Sequence, residues 1–204
     1  DDVLIVVKSE SSAKRVMNLI TSWIERKLVL KVNMTKTKIS KPSGVKYLGM
    51  SFYKERKSQQ WRPIPHKESV KELSRKLKAK TIRKYPTPMI ERIKELNSII
   101  RGWVNYYAIC DMKTHMAKID AHLRTRLRII IWKQWKKPSK RQWGLQKLGI
   151  PKDLARLTSY VGDRYQWIAT RTCVTRAISK QKLAQKGLIS CLDYYLERHK
   201  MKFN

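Results

Sequence analysis

The sequence predicts an α+β fold that is predominantly α, and three observations carry that. First, residues 90–137 place Ile93, Leu96, Ile100, Trp103 and Tyr107, then Ile119, Leu123, Leu127, Ile130 and Trp135, at helical spacing. Second, the runs rich in β-branched and aromatic residues fall before Pro65, among turn residues such as Pro42-Ser43-Gly44. Third, everything after Pro65 reads as helix and loop. The expected plan is a small β-containing N-terminal part, a helical middle and a compact helical C-terminal part.

Val3–Val7 is a short apolar run that predicts a strand buried on both faces. Ser9, Ser11 and Ser12 are available as caps for an amphipathic helix over about 12–28, whose stripe is Val16, Leu19, Ile20, Trp23, Ile24 and Leu28. Residues 45–53 predict a strand interrupted by Gly49, where a bulge or a close backbone approach is expected. Lys54–Gln60 is a polar hairpin loop, and Trp61–Ile64 returns as a second strand. Val70, Leu73 and Leu77 define a helix over 66–83. Pro86-Thr87-Pro88 breaks the chain, with Thr87 a candidate N-cap and Pro88 suited to the first helical position. Residues 90–137 then predict a helical hairpin with a dry seam and a basic outer surface. Pro138 is expected to end its second helix, and 139–149 reads as a linker. Shorter helical segments follow over 151–160, 163–172, 174–185 and 190–199, with Gly187 a C-terminal cap.

Charge narrows the function. The 204 residues carry Lys+Arg 47 against Asp+Glu 15, a formal net charge of +32, with seven Trp and nine Tyr. Such self-repulsion calls for an anionic partner, and aromatic rings among cations favour nucleic acid. No run approaches the roughly 18 apolar residues that span a bilayer, and the cations are spread along the chain rather than gathered beside a membrane segment. Cys110, Cys173 and Cys191 are isolated, and His66, His115, His122 and His199 show no metal spacing. A reduced, intracellular protein is expected, cytoplasmic or nucleoid-associated if bacterial. The chain opens at Asp1 without Met or signal peptide, and the expectation is that it begins within a larger protein.

Three stretches could carry chemistry. Asp1-Asp2, ahead of an apolar strand, offers hard oxygen ligands to a divalent cation, although adjacent carboxylates equally suit a solvated turn. Asn33-Met34-Thr35-Lys36-Thr37-Lys38 is a lysine-rich loop that could meet a polyphosphate, or simply be solvated. Tyr47-Leu48-Gly49-Met50 has a glycine that lets another backbone come close.

Taken together these stretches resemble the reverse transcriptases, or maturases, encoded by group II introns. Asp1-Asp2 resembles the end of the Y-x-D-D turn, and Val32-Asn33-Met34-Thr35-Lys36-Thr37 the L-N-x-x-K-T pattern with Val for Leu. Tyr47-Leu48-Gly49-Met50 resembles the F-L-G-F strand. Arg101-Gly102-Trp103-Val104-Asn105-Tyr106-Tyr107 resembles the G-W-x-x-Y-Y signature, the most specific of the four.

The resemblance implies that 1–64 is the C-terminal part of a polymerase palm, 65–138 the thumb or maturase domain, and 139–204 a helical DNA-binding region. It implies that Asp1 and Asp2 bind Mg2+ in a two-metal site completed by residues outside this chain. Lys36 would lie near the phosphates of an incoming dNTP, and Tyr47, Leu48 and Gly49 in the primer grip. The implied partners are intron RNA, RNA template, and DNA primer or target DNA, and the implied functions are splicing assistance and copying of RNA into DNA during intron mobility. The fingers and the upstream aspartate strand are not in these residues, so the chain alone is not expected to polymerise.

The residues expected to contact RNA or DNA are Lys38, Arg75, Lys78, Arg101, Arg124, Arg128, Lys133, Lys136, Lys137 and Trp143. Trp61, Tyr106 and Trp143 are the stacking candidates, while Trp103 and Tyr107 are expected in the core. Two other readings remain: a splicing cofactor that binds RNA without catalysis, and a basic ribosomal-type or helix-turn-helix protein, prompted by Val174–Ile189.

Overall fold

A computed structural model describes residues 3–203. It is 61% helical with one small two-stranded antiparallel sheet, the α+β, predominantly α class that the sequence predicts. The chain forms two units, Asp1–His66 and Lys67–Asn204.

In the first unit, helix α1 spans Glu10–Lys27, and the Ser9 hydroxyl caps it by accepting from the Ser12 N–H at 3.2 Å. Glu10 in its first turn and Arg26 and Lys27 in its last suit the helix dipole. A 3-10 turn at Pro42–Gly44 precedes strand β1, Met50–Lys54, which pairs antiparallel with β2, Trp61–Pro65. The register sets Met50 opposite Pro65 and Lys54 opposite Trp61. An Arg62–Glu55 ion pair at 3.0 Å ties the far end of the hairpin.

Two expectations for this unit are corrected. Residues 3–7 are not a strand, and Val3 and Val6 are 74% and 82% exposed. A strand buried on both faces needs a hydrogen-bonded neighbour along each edge, and among the described residues only β1 and β2 form a sheet. Residues 45–49 do not extend β1 either. Leu48 and Gly49 have φ of 48° and 74°, and Tyr47 and Met50 exchange both backbone bonds, at 3.0 and 2.8 Å. That is a two-residue hairpin turn with φ positive at both central positions. Glycine takes the second at no steric cost.

In the second unit the elements are α2 (Lys67–Lys80), α3 (Met89–Tyr106), α4 (Lys113–Gln134), α5 (Pro138–Lys147), α6 (Lys152–Ser159), α7 (Tyr165–Ala169), α8 (Thr172–Ala177), α9 (Lys180–Gln185) and α10 (Cys191–Phe203). The predicted stripes are its core: Leu73, Leu77, Ile93, Leu96, Ile100, Ile119, Leu123, Leu127 and Ile130 are all buried. Each such aliphatic side chain contributes about 1.5–3 kcal/mol by leaving water. Tyr107 is buried and Trp103 half-buried.

The expected hairpin seam between α3 and α4 is corrected: the two helices do not pack closely on each other as a pair. Both α2 and α10 pack against each of these helices, and α7 packs on α4. A C-terminal helix therefore completes the core that the 90–137 stripes begin.

Three local readings also change. Thr87 does not cap α3; Pro88 takes the cap position, with no side-chain bond to the first turn. At the far end of α4 the fully buried indole is Trp132, while Trp135 becomes the half-buried C-cap residue. Residues 139–149 are no linker: Pro138 opens α5 as its first residue, where a missing N–H is harmless. The two helical ends meet tightly, because a Cβ at Gly144 would lie 2.6 Å from the Trp135 ring. Gly144→Ala is expected to destabilise the second unit by about 1–3 kcal/mol through overpacking, measured as a lower urea midpoint at unchanged slope.

Two polar residues fasten the C-terminal helices to this frame. Asp120, buried on α4, accepts from the Ser190 hydroxyl at 2.6 Å and from the Cys191 and Leu192 N–H groups at 2.8 and 3.1 Å. It caps α10 from another helix. Asn97 on α3 donates to the Gly187 carbonyl at 2.7 Å and accepts from the Ile189 N–H at 3.0 Å. That turn follows α9, where Gly187, at φ 92°, and Leu188 return bonds to Ala184 and Leu183. Cys110, Cys173 and Cys191 are buried free thiols, and burial, with Asp111 nearby, pushes Cys110 up to about 12.

Candidate nucleic-acid interface

With so many cations in the chain, the first question is which of them face solvent. Five do not serve as an outer surface, because they bind the carbonyl ends of neighbouring helices. Arg92 donates to the carbonyls of Lys80, the last residue of α2, and Tyr85. Arg126 donates to Thr81 Oγ1 at 2.5 Å and to the Thr81 and Lys78 carbonyls at 2.9 and 3.2 Å. Arg128 reaches the Ile178 carbonyl at the end of α8 at 3.0 Å, and Arg141 the Trp135 carbonyl at the end of α4 at 2.9 Å. Lys182 donates to the Leu148 carbonyl that closes α5.

Helix C-termini carry unpaired carbonyls and the negative end of the dipole, so cations stabilise them. Burial lowers the Arg92, Arg126 and Arg128 guanidinium groups from their ordinary value, yet arginine stays charged. Arg128 is accordingly corrected as a phosphate contact: it is 9% exposed and pointed inward. Its neighbour Arg124 is half-buried, 3.9 Å from Asp120.

Most of the remaining expected contacts in this unit are exposed. On α2, Arg75 and Lys78 are exposed on the side away from Leu73 and Leu77. Arg75 is held in a two-pronged bond to Glu72, both contacts at 2.8 Å, so part of its charge is locally offset. Arg101 on α3 is exposed, Lys133 at the end of α4 half-buried, and Lys136 and Lys137 exposed in the α4–α5 junction. Trp143 on α5 is 53% exposed, with the ammonium groups of Lys140 and Lys147 5.4 and 4.8 Å from its ring centre. An indole between lysines one turn away on either side can stack a base while the lysines hold its phosphates. Tyr106 is exposed beside the buried Tyr107, their ring centres 4.7 Å apart. Partial burial, then Arg126 and Lys78, lower the basicity of His122 from its ordinary value.

In the first unit, Lys36 and Lys38 are exposed in a loop shaped by Asn33, whose side chain accepts from the Thr35 N–H at 3.1 Å and the Thr35 hydroxyl at 2.7 Å. Tyr47, Leu48 and Gly49 form the tight turn before β1, and Trp61 at the start of β2 is 45% exposed. Asp1 and Asp2 lie outside the described residues. Among those described, no group of three His, Cys, Asp or Glu side chains is placed to hold a metal ion. Also among them, no helix is long and apolar enough to cross a membrane.

Sequence reasoning missed the buried arginines and the aromatic pairs beyond α6. Arg92 and Arg128 directly adjoin Ile93 and Leu127 of the apolar stripes. An arginine beside a stripe residue was the available signal. Tyr165 and Trp167 carry the other missed pairs, with Arg83 and Arg171 over their rings at 4.6 and 4.0 Å.

No curated protein matches the chain. A family model does: the group II intron, maturase-specific domain, over residues 70–149. The match runs from within α2 to the glycine that closes α5. It includes the Arg101–Tyr107 signature and the exposed residues Arg75, Lys78, Arg101, Lys136, Lys137 and Trp143. Residues 70–149 of this chain match the group II intron maturase-specific domain family.

Proposed function

We propose that this chain binds the RNA of a group II intron through the exposed cations of its second unit and assists that RNA in splicing. One observation carries the reading: the family match covers the same helices whose outward residues are Arg75, Lys78, Arg101, Lys136 and Lys137. Their inward faces are a dry core, so the cations are presented on a rigid support. The splicing role is one of holding structure. RNA phosphates repel one another as the intron compacts, and a fixed array of ammonium and guanidinium groups offsets that repulsion at defined points.

The test is a splicing reaction on a group II intron transcript at a magnesium concentration where the RNA alone reacts slowly. Added chain is expected to raise the rate, and no acceleration of any such transcript that it binds would overturn the splicing role.

We also read the chain as belonging to an RNA-directed DNA polymerase that copies RNA into DNA during intron mobility. The palm, thumb and DNA-binding assignments of 1–64, 65–138 and 139–204 belong to that reading. So do Mg2+ at Asp1 and Asp2, dNTP near Lys36, primer near Tyr47–Gly49, and the RNA template and DNA partners. The sequence likenesses at these positions support it.

A further inference from the structure

An open groove of about 610 Å³ on the second unit is lined by Arg83, within the family match, and by residues beyond it that include Asp163, Arg164, Tyr165 and Trp167. Its aromatic residues are arranged unlike those of the core. Trp167 is 44% exposed and Tyr165 half-exposed, and each ring has a guanidinium over it. Arg83 sits 4.6 Å from the centre of the Tyr165 ring, and Arg171 sits 4.0 Å from the centre of Trp167. A guanidinium over one face of an indole polarises the ring and leaves flat π surface for another planar group.

The polar groups are also ordered. The Tyr165 hydroxyl donates to Asp163 at 2.8 Å, and Arg141 reaches the same carboxylate oxygen at 3.9 Å. These contacts hold Asp163 at the rim. A carboxylate there disfavours a phosphate beside it and accepts from the amino or imino edge of a base. Arg83 and Arg164 supply the positive charge on which a phosphate would rest. Flat stacking surface, an acceptor and separate cations match one nucleotide that is not paired. A duplex does not fit, because its bases are stacked on one another and cannot reach an indole in a groove.

We propose that this groove binds an unpaired nucleotide of a single strand, with the base stacked on Trp167 and Tyr165 and its phosphate held by Arg83 and Arg164. The inference rests on the RNA-binding reading of the second unit. It adds a site whose stacking residues lie beyond residues 70–149, with Arg83 contributed from within them, and with a preference for single strand that a phosphate-gripping helix face lacks.

The test uses the full chain, wild type, Trp167→Ala and Trp167→Phe, with a short single-stranded RNA, its DNA equivalent and a blunt duplex. Trp167→Ala is expected to weaken single-strand binding by about 5- to 150-fold, the range for loss of one stacked base. Duplex affinity stays within about twofold, since phosphate contacts are retained. Trp167→Phe restores most of the single-strand affinity, and an unchanged melting temperature in both variants separates the loss from unfolding. A 2-aminopurine base in the strand is quenched by the wild type and not by Trp167→Ala. Loss on RNA and DNA alike assigns a nucleotide of either sugar, and loss on RNA alone assigns an RNA strand. Unchanged single-strand affinity in Trp167→Ala, or equal loss on strand and duplex, would overturn the groove. In either case salt-dependent duplex binding by the wild type leaves the broader RNA-binding reading standing; its absence removes that reading separately.

Discussion

Asp120→Ala is expected to destabilise the second unit by about 3–5 kcal/mol, a large effect for one side chain. The carboxylate is buried and accepts from the Ser190 hydroxyl and two backbone N–H groups, while Arg124 lies 3.9 Å away. Alanine leaves all three donors without their acceptor at a partly buried site. Each orphaned buried group costs about 1–3 kcal/mol, and an N-cap alone is worth about 0.5–2. The sum is reduced because α10 can shift to let water reach its first turn. Asp120→Asn keeps one acceptor oxygen and is expected to lose about half as much. Chemical unfolding followed by circular dichroism reads both. A loss below about 1 kcal/mol for the alanine variant would show that α10 is not held by this cap.

The second large effect is on binding. Replacing Arg101, Lys136 and Lys137 together with alanine is expected to weaken intron RNA binding by about 10²–10³-fold near 0.1 M monovalent salt. Each phosphate contact contributes roughly one unit to the salt slope and about one decade of affinity there. All three side chains are exposed, so stability should change by no more than about 0.5 kcal/mol per site. The contrast with Asp120 separates two populations of polar residues. One is exposed and is expected to set affinity; the other lies among the helices and is expected to set stability.

Much of this was legible in the sequence. The stripes from Ile93 to Ile130 gave α3, α4 and most of the core, because a period near 3.6 can bury only one face. The Arg101–Tyr107 signature placed the family. Pro138 misled, since a proline that stops one helix serves equally as the first residue of the next. Val3–Val7 misled because apolar β-branched residues mark a strand only when a pairing edge is present. Leu48-Gly49 read as strand since the turn depends on two positive φ angles, and leucine does not advertise one.

Arg128 shows the limit of reading charge from a helical wheel. It lies next to the apolar stripe, and only the arrival of the α8 carbonyl at Ile178 turns it from a surface cation into an interior one. The role of Asp120 depends on Ser190 and Cys191, some seventy residues on, and no local pattern announces it. The aromatic groove has the same origin, pairing Arg83 with Tyr165 across the unit.

That the exposed cations of the second unit hold intron RNA by its phosphates is tested most directly by salt. The measurement is the affinity of the whole chain for a group II intron RNA as monovalent salt rises from about 50 to 200 mM. If some 6–10 phosphates are contacted, affinity falls by about 10³–10⁵-fold along a straight double-logarithmic line. The line for the Arg101, Lys136 and Lys137 variant is shallower by about three units. A flat response of the wild type, or identical slopes for the two proteins, would contradict a phosphate-held RNA.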